Sequence, residues 1–382
     1  MDIPKARGTY SARYRALTAL PSPIEQFVSV QQLDLTGNQL TSLPETLDEL
    51  VQLQELYLDE NQLTTLPESL GNLTRLEELH VDANRLIALP ASINQLTRLK
   101  TLRLYANQIR SVPMGIGQLA NLKDISLGKN HLTSLPASFW QLRTLQTLNL
   151  AENHFVELPA QIGNLSELRM LDIAHNQLTA LPETLGELTK LEFLYLSNNH
   201  LTALPQMLFR HLNKLLYLNV TDNQLAALPE NLGELTDLIE LRLYNNCLAE
   251  FPGNLGNLGN LEELHAMNNR LTSLPASLGE LRNLKQLHLC NNRLIQLPET
   301  LGALTRLTHL DLRNNHLQVL PESLGNLSKL THLDLRANKL RSLPTSLEHL
   351  TGLEKLDLRW NKLAALPTWL QKLQERGCTI FV

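Results

Sequence analysis

The sequence predicts a repeat solenoid, a single tandem array of short units that presents a long open surface rather than an enclosed pocket. Three observations predict it. Asparagine recurs every 23 residues at Asn38, Asn61, Asn84, Asn107, Asn130, Asn153, Asn176 and Asn199, and after one step of 24 at Asn223, Asn246, Asn269, Asn292, Asn315, Asn338 and Asn361. Around each asparagine the chain reads L-x-x-L-x-L-x-x-N-x-L-x-x-L-P-x-x-L-G-x-L, as in LQELYLDENQLTTLPESLGNL from Leu53 to Leu73. The period runs through a chain of 382 residues without a break, which overrides the several domains that length alone suggests.

Within a unit the apolar spacing changes, and with it the expected local structure. Leu56-x-Leu58 alternates with period two, which suits a strand with one face buried. After Asn61 the spacing lengthens through Leu63, Leu66, Leu70 and Leu73, which suits tight turns or a short helical turn. No unit can bury its leucines alone, so stacking must build one continuous core. An Asn amide both donates and accepts, which suits a buried turn whose backbone groups need partners. Proline at Pro44, Pro67 and each later equivalent fixes φ and lacks a donor, so it turns the chain off the sheet. Nine units then carry glycine, among them Gly71, Gly163 and Gly325, where the turn is expected to need a permissive backbone.

These residues resemble the leucine-rich repeat family over nearly everything from about Leu17 to Leu373. The Leu-Pro pair is similar to the 23-residue class of bacterial proteins and Ras-group scaffold proteins. The resemblance implies an α/β repeat solenoid: a curved right-handed horseshoe with a concave parallel β-sheet and convex turns or short helical segments. It also implies that each asparagine side chain bonds neighbouring loop backbone.

One domain is expected over 1–382, with a tail and degenerate capping repeat at 1–29, fifteen repeats over 30–366 and a C-terminal cap at 367–382. In the N-terminal cap Leu17, Leu20, Pro21, Ile24, Phe27 and Val30 keep the repeat phase while Arg15 stands in the asparagine's place. At the other end Pro367, Leu370 and Leu373 hold phase, and a last strand at Ile380 to Val382 is expected to cover the final unit. The step of 24 arises in QMLFRHLNKL between Leu208 and Leu212. It reads as a tolerated convex insertion, or else as a convex site at Phe209 to His211.

A net charge of -5 argues against a nucleic-acid partner. No apolar run opens the sequence as a signal peptide would, and none is long enough to span a bilayer. Cys247, Cys290 and Cys378 are too few and too scattered for disulfide caps. A cytoplasmic monomer is expected, with secretion by a signal-peptide-independent route as the alternative. No cofactor, metal or membrane partner is expected, and the sequons at Asn72, Asn164 and Asn326 read as by-products of the repeat. Phosphate loops, nucleophile elbows and zinc-protease motifs are missing, so no enzyme is predicted.

Function is expected at strand positions that point away from the core. Seven of the seventeen aromatic residues fall there: Tyr57, Tyr105, Phe193, Tyr195, Tyr217, Tyr244 and Trp360. Consecutive units align Met170, Phe193 and Tyr217, with Tyr195, Tyr244 and Met267 nearby. Strands about 4.8 Å apart would join these into one amphipathic patch. The patch reads as a protein-binding hot spot or as a packing ladder. Charge on the same face is polarised: Asp34, Glu55, Asp59, Glu60, Glu78 and Asp82 near the start, Arg313, Arg336, Lys339, Lys355, Arg359 and Lys362 near the end. The late bases flank Asp311, Asp334 and Asp357, so they either neutralise that column across strands or dock an acidic or mixed-charge partner through Arg313, Arg336, Arg359 and Trp360. His265, His288, Cys290, His309 and His332 share adjacent strands and mimic a metal site, although no closed set of ligand spacings appears. The leading function is a protein-binding scaffold or adaptor whose partner the sequence does not name. The alternatives are a secreted effector binding host proteins and a sensor module of a larger GTPase- or kinase-containing protein.

Overall fold

Alternating leucines convert each sequence unit into one coil that starts with a three-residue strand. In β3 (Glu55–Tyr57) the central Leu56 is fully buried, while Glu55 and Tyr57 flank it on the open face. The computed structural model describes residues 8–20 and 23–382, and it divides into two units, Met1–Leu178 and Thr179–Val382. In the first unit the described strands are β1 (Thr9–Ser11), β2 (Gln32–Asp34), β3, β4 (Glu78–His80), β5 (Thr101–Arg103), β6 (Asp124–Ser126), β7 (Thr147–Asn149) and β8 (Met170–Asp172). In the second they are β9 (Phe193–Tyr195), β10 (Tyr217–Asn219), β11 (Glu240–Arg242), β12 (Glu263–His265), β13 (Gln286–His288), β14 (His309–Asp311), β15 (His332–Asp334), β16 (Lys355–Asp357) and β17 (Thr379–Phe381). Within each unit successive strands pair in parallel and in register, as Leu56 with Leu79 and Leu310 with Leu333. Each unit is thus a solenoid with leucine columns for a core, every fully buried leucine contributing about 1.5–3 kcal/mol.

The asparagines supply what the turns lack. Asn61 Nδ2 donates to Leu58 O at 3.0 Å in its own coil and to Leu35 O at 3.0 Å in the coil before. Its Oδ1 accepts from the Leu40 N–H at 3.0 Å. The pattern recurs along the chain, so buried backbone groups in consecutive coils are satisfied by one side chain.

On the opposite side most Leu-Pro pairs open a 3-10 helix. Pro67 (φ -69°, ψ 151°) precedes Glu68–Asn72, and the Leu70 N–H bonds Pro67 O at 3.1 Å. The expected short helical segments are therefore single 3-10 turns. The glycines here work differently from the expectation. Gly71 sits in such a turn without a left-handed φ, but a Cβ on it would lie 2.7 Å from Ser92 O of the next coil. Close stacking of coils, not backbone freedom, excludes a side chain there.

Positive φ falls instead on the residue before each ladder asparagine, as at Ala106 (56°), Asn198 (54°) and Asn291 (57°). This left-handed residue reverses the chain so that the following asparagine points into the coil.

The 24-residue coil replaces the 3-10 turn with a broader turn over residues 206–211, in which Phe209 is fully buried. The inserted residue widens the coil around an added core side chain. Phe209 is thereby withdrawn from any surface role, while Arg210 and His211 are exposed.

At the N-terminal end, β1 pairs with β2, and Tyr10 packs edge-on to Phe27 with ring centroids 4.7 Å apart. Asn38 Oδ1 accepts from the Leu17 N–H at 3.0 Å, the bond the later coils make, and also from the Arg15 N–H at 3.0 Å. Pro21 and the first seven residues of the expected cap lie outside the described residues. At the C-terminal end an α-helix, Trp369–Glu375, buries Trp369, Leu370 and Leu373. β17 follows it as the expected last strand, spanning Thr379–Phe381 rather than residues 380–382.

Candidate functional site

Since the central leucine of each strand faces the core, its two neighbours must face out, and they form columns across the register. In the second unit one column runs Phe193, Tyr217, Glu240, Glu263, Gln286, His309, His332, Lys355. A parallel column, two residues on, runs Tyr195, Asn219, Arg242, His265, His288, Asp311, Asp334, Asp357.

Phe193, Tyr195 and Tyr217 come together on β9 and β10, with the Tyr195 and Tyr217 rings tilted at 38° and 4.9 Å apart. The Arg242 guanidinium lies 5.7 Å from the Tyr217 centroid, and its Nε donates to Glu240 at 2.5 Å. Arg242 had no signal in the aromatic pattern, yet it extends the patch by a cation–π contact. Tyr244 and Met267 stand in neighbouring coils beyond the ends of β11 and β12, two residues past the second column. Met170 belongs to β8 of the first unit. Phe193, Tyr195, Tyr217, Tyr244 and Met267 are all half-buried. Burial, with help from Glu240 and Tyr195, raises the Tyr217 hydroxyl above its ordinary pKa, so it is a neutral donor at physiological pH.

Charged strand positions pair at short range. Asp334 accepts from Arg336 Nη2 at 2.6 Å, Asp357 from Arg359 Nη2 at 2.6 Å, and Arg313 Nε lies 3.2 Å from Asp311. Of these three arginines, Arg336 also crosses to the next strand, 3.3 Å from Asp357, which is 1% exposed. Neutralisation of the Asp311, Asp334 and Asp357 column therefore runs chiefly along each coil rather than across strands. Burial alone would raise the Asp357 pKa, but the hydrogen bond from Arg359 and the charge of Arg336 hold it below the ordinary carboxylate value. Arg359 also lies 4.9 Å from the Phe381 centroid and 5.6 Å from that of Trp360. Trp360, expected on a strand, occupies the left-handed turn position (φ 60°) and is 71% exposed. In the first unit the open face is acidic: the Tyr57 hydroxyl sits 3.0 Å from Glu55 and 2.9 Å from Glu78, and burial and these bonds raise its pKa.

The histidines separate into two pairs. His265 stacks on His288 at 4.8 Å in one column, and His309 on His332 at 4.5 Å in the other. Cys290 is 3% exposed, and burial raises its thiol pKa. Among the described residues one group of three brings ligand atoms within 4.8 Å of one another, Glu240, Glu263 and His265. Arg242 and Gln286 already hold its two carboxylates.

The family described as Leucine-rich repeat region matches residues 90–173, 141–244, 184–293 and 268–375, and that described as Leucine rich repeat matches residues 28–86. No curated protein matches the chain. Among solved structures, a leucine-rich repeat protein of Leptospira interrogans is 37% identical with a TM-score of 0.89, over 97% of this chain and 95% of that one. The leucine-rich effector protein YopM of Yersinia pestis is 28% identical with a TM-score of 0.66, over 88% of this chain and 85% of its own. The ectodomain of the plant membrane receptor kinase GASSHO1/SCHENGEN3 from Arabidopsis thaliana, solved in complex with CASPARIAN STRIP INTEGRITY FACTOR 2, is 30% identical with a TM-score of 0.59. That match covers 95% of this chain and 54% of the ectodomain.

Proposed function

The chain belongs to the leucine-rich repeat family, and from that premise we propose that it is a protein-binding scaffold or adaptor that engages a folded partner through the open sheet face of its second unit. The cluster of Phe193, Tyr195 and Tyr217 with Arg242 carries this reading. Its rings are held on short, hydrogen-bonded strands, so they lose little entropy on binding, and they combine apolar area with hydroxyl and guanidinium donors. Tyr and Arg are the side chains most often found at the energetic centre of an interface. The plant receptor ectodomain solved with a bound factor supports the use of this fold for protein ligands.

Arg313, Arg336, Arg359 and Trp360 form a secondary region. Their cations already face carboxylates, so they tune association rate and salt dependence more than affinity. A second reading, an effector acting on proteins of another cell, draws support from the likeness to the Yersinia effector. Detection of the protein outside the producing cell separates the two.

The test is Phe193→Ala combined with Tyr217→Ala. Affinity for a partner isolated with the unaltered chain should fall about 30-fold, or about 2 kcal/mol, with cooperative unfolding retained. Unchanged affinity would shift the site to the arginine region.

A further inference from the structure

Five nitrogen-bearing side chains from the coils of β14, β15 and β16 line one open hollow of about 200 Å³: His309, Arg313, His332, Arg336 and Lys355. Asp311 and Asp334 line it too, so with neutral imidazoles three cations stand against two carboxylates. Lys355 supplies the excess, since it is exposed and makes no ion pair among the described residues; its Nζ lies 5.9 Å from the Phe381 centroid. The arginines also keep donors in reserve. Arg336 uses Nε and Nη2 on Asp334, which leaves Nη1, and Arg313 meets Asp311 through Nε while staying 43% exposed. His309 and His332 stack with 4.5 Å between ring centroids. Each Nδ1 lies 2.9 Å from the hydroxyl of the preceding threonine, whose own proton goes to a carbonyl, from Thr308 to Lys285 O at 2.9 Å and from Thr331 to Thr308 O at 3.0 Å. The hydroxyl oxygen therefore accepts from Nδ1–H, and the lone pair of each neutral ring is on Nε2. Two stacked imidazolium rings would repel; burial, then the charge of His332, lowers the His309 pKa, with Glu354 opposing, so the pair favours a single proton. His288, the third ring here, is engaged elsewhere: its Nε2 is 3.1 Å from Gln286 Oε1, and burial first, then its histidine neighbours, lower its pKa to about 4.

We propose that this hollow binds a phosphate group, with Arg313, Arg336 and Lys355 donating to its oxygens and one proton held between a phosphate oxygen and the Nε2 of His309 or of His332. Guanidinium forks and a lysine ammonium are the side chains that recognise phosphate. A phosphate monoester loses its second proton near about pH 6 and imidazole ordinarily near about 6.5, so the two share a proton on nearly equal terms. Sulfate brings no proton at such pH and would meet a bare lone pair. The complex holds one proton more than the separated, deprotonated partners, so affinity must fall as pH rises above both values. The site is independent of the protein-binding reading, because Phe193, Tyr195 and Tyr217 take no part in it.

The experiment is calorimetric titration of glycerol 2-phosphate, inorganic phosphate and sulfate into the full chain. We expect one phosphate per chain, sulfate about tenfold weaker or worse, and phosphate affinity about tenfold lower at about pH 8 than at about pH 6.5. Whichever phosphate binds more tightly identifies the ligand as an ester or as the free ion. Lys355→Gln, at an exposed position, and Arg313→Gln should each weaken binding about fivefold or more, with melting temperatures showing that both variants fold. His309→Gln combined with His332→Gln should abolish the preference for phosphate over sulfate. Sulfate binding as tightly as phosphate to the unaltered chain, unchanged affinity in both cation variants, or no binding of either phosphate would overturn the proposal.

Discussion

Replacing Asn130 with alanine isolates the contribution of the asparagine ladder. Asn130 is 3% exposed; its Nδ2 donates to Leu104 O at 2.9 Å and Leu127 O at 3.0 Å, and its Oδ1 accepts from the Ile109 N–H at 2.9 Å. The two carbonyls keep second donors after substitution, from Asn107 Nδ2 at 3.1 Å and Asn153 Nδ2 at 2.9 Å. The Ile109 N–H keeps none. A buried donor stranded in this way costs about 1–3 kcal/mol, and the lost donations bring the expected total to about 2–3 kcal/mol. Asn130→Asp sharpens the test. Its carboxylate still accepts from Ile109 but faces two carbonyl oxygens, so it should be held protonated and its folded pKa raised. The variant should then lose stability as pH rises above the ordinary carboxylate value near about 4, the reverse of a salt-bridged aspartate. Urea unfolding followed by circular dichroism gives the free energies, and hydrogen exchange should show opening centred on the flanking coils. An alanine variant within about 0.5 kcal/mol of the parent would refute the role assigned to the ladder.

Two backbone substitutions should act in opposite directions. Gly71→Ala drives a Cβ against Ser92 O and should cost about 1–3 kcal/mol, whereas Ala106→Gly relieves a left-handed residue and should stabilise by about 0.5–1 kcal/mol; thermal melts of both check the pair. His288 should make stability depend on pH. Burial first, then His265 and His309, lower its pKa from 6.5 to about 4, Arg313 adding to the effect and Glu263 opposing it. The unfolded chain therefore binds a proton that the folded chain refuses, so this contribution is intact above about 6.5 and is lost as pH falls toward about 4. In His288→Gln the melting temperature should vary less across that window, and an unchanged profile would remove His288 as the source.

The period, the strand and the asparagine were legible because each is a one-dimensional signal: an alternating pair of leucines, then an amide at fixed distance. The 3-10 turn was legible from its proline. The role of glycine was not, because the contact that excludes a Cβ at Gly71 comes from Ser92 in the next coil and has no trace within the unit. The left-handed position had a local signature in Gly37, Asn198, Asp222, Asn245, Asn268, Asn291 and Asn314, but Glu60, Ala83 and Trp360 blur it. Among the site residues, Phe193, Tyr195 and Tyr217 were placed together because register follows from the period. Tyr244 and Met267 follow from the same count, further along their coils. The Arg242 contact and the stacking of the histidine rings depend on side-chain rotamers, which spacing does not encode.

A photo-reactive amino acid placed at Tyr195 on β9, and in a separate variant at Met207 in the widened turn, tests the proposed binding face most directly. With an isolated partner bound, the account predicts a crosslink from position 195 and none from position 207. A crosslink from 207 with none from 195 would contradict it.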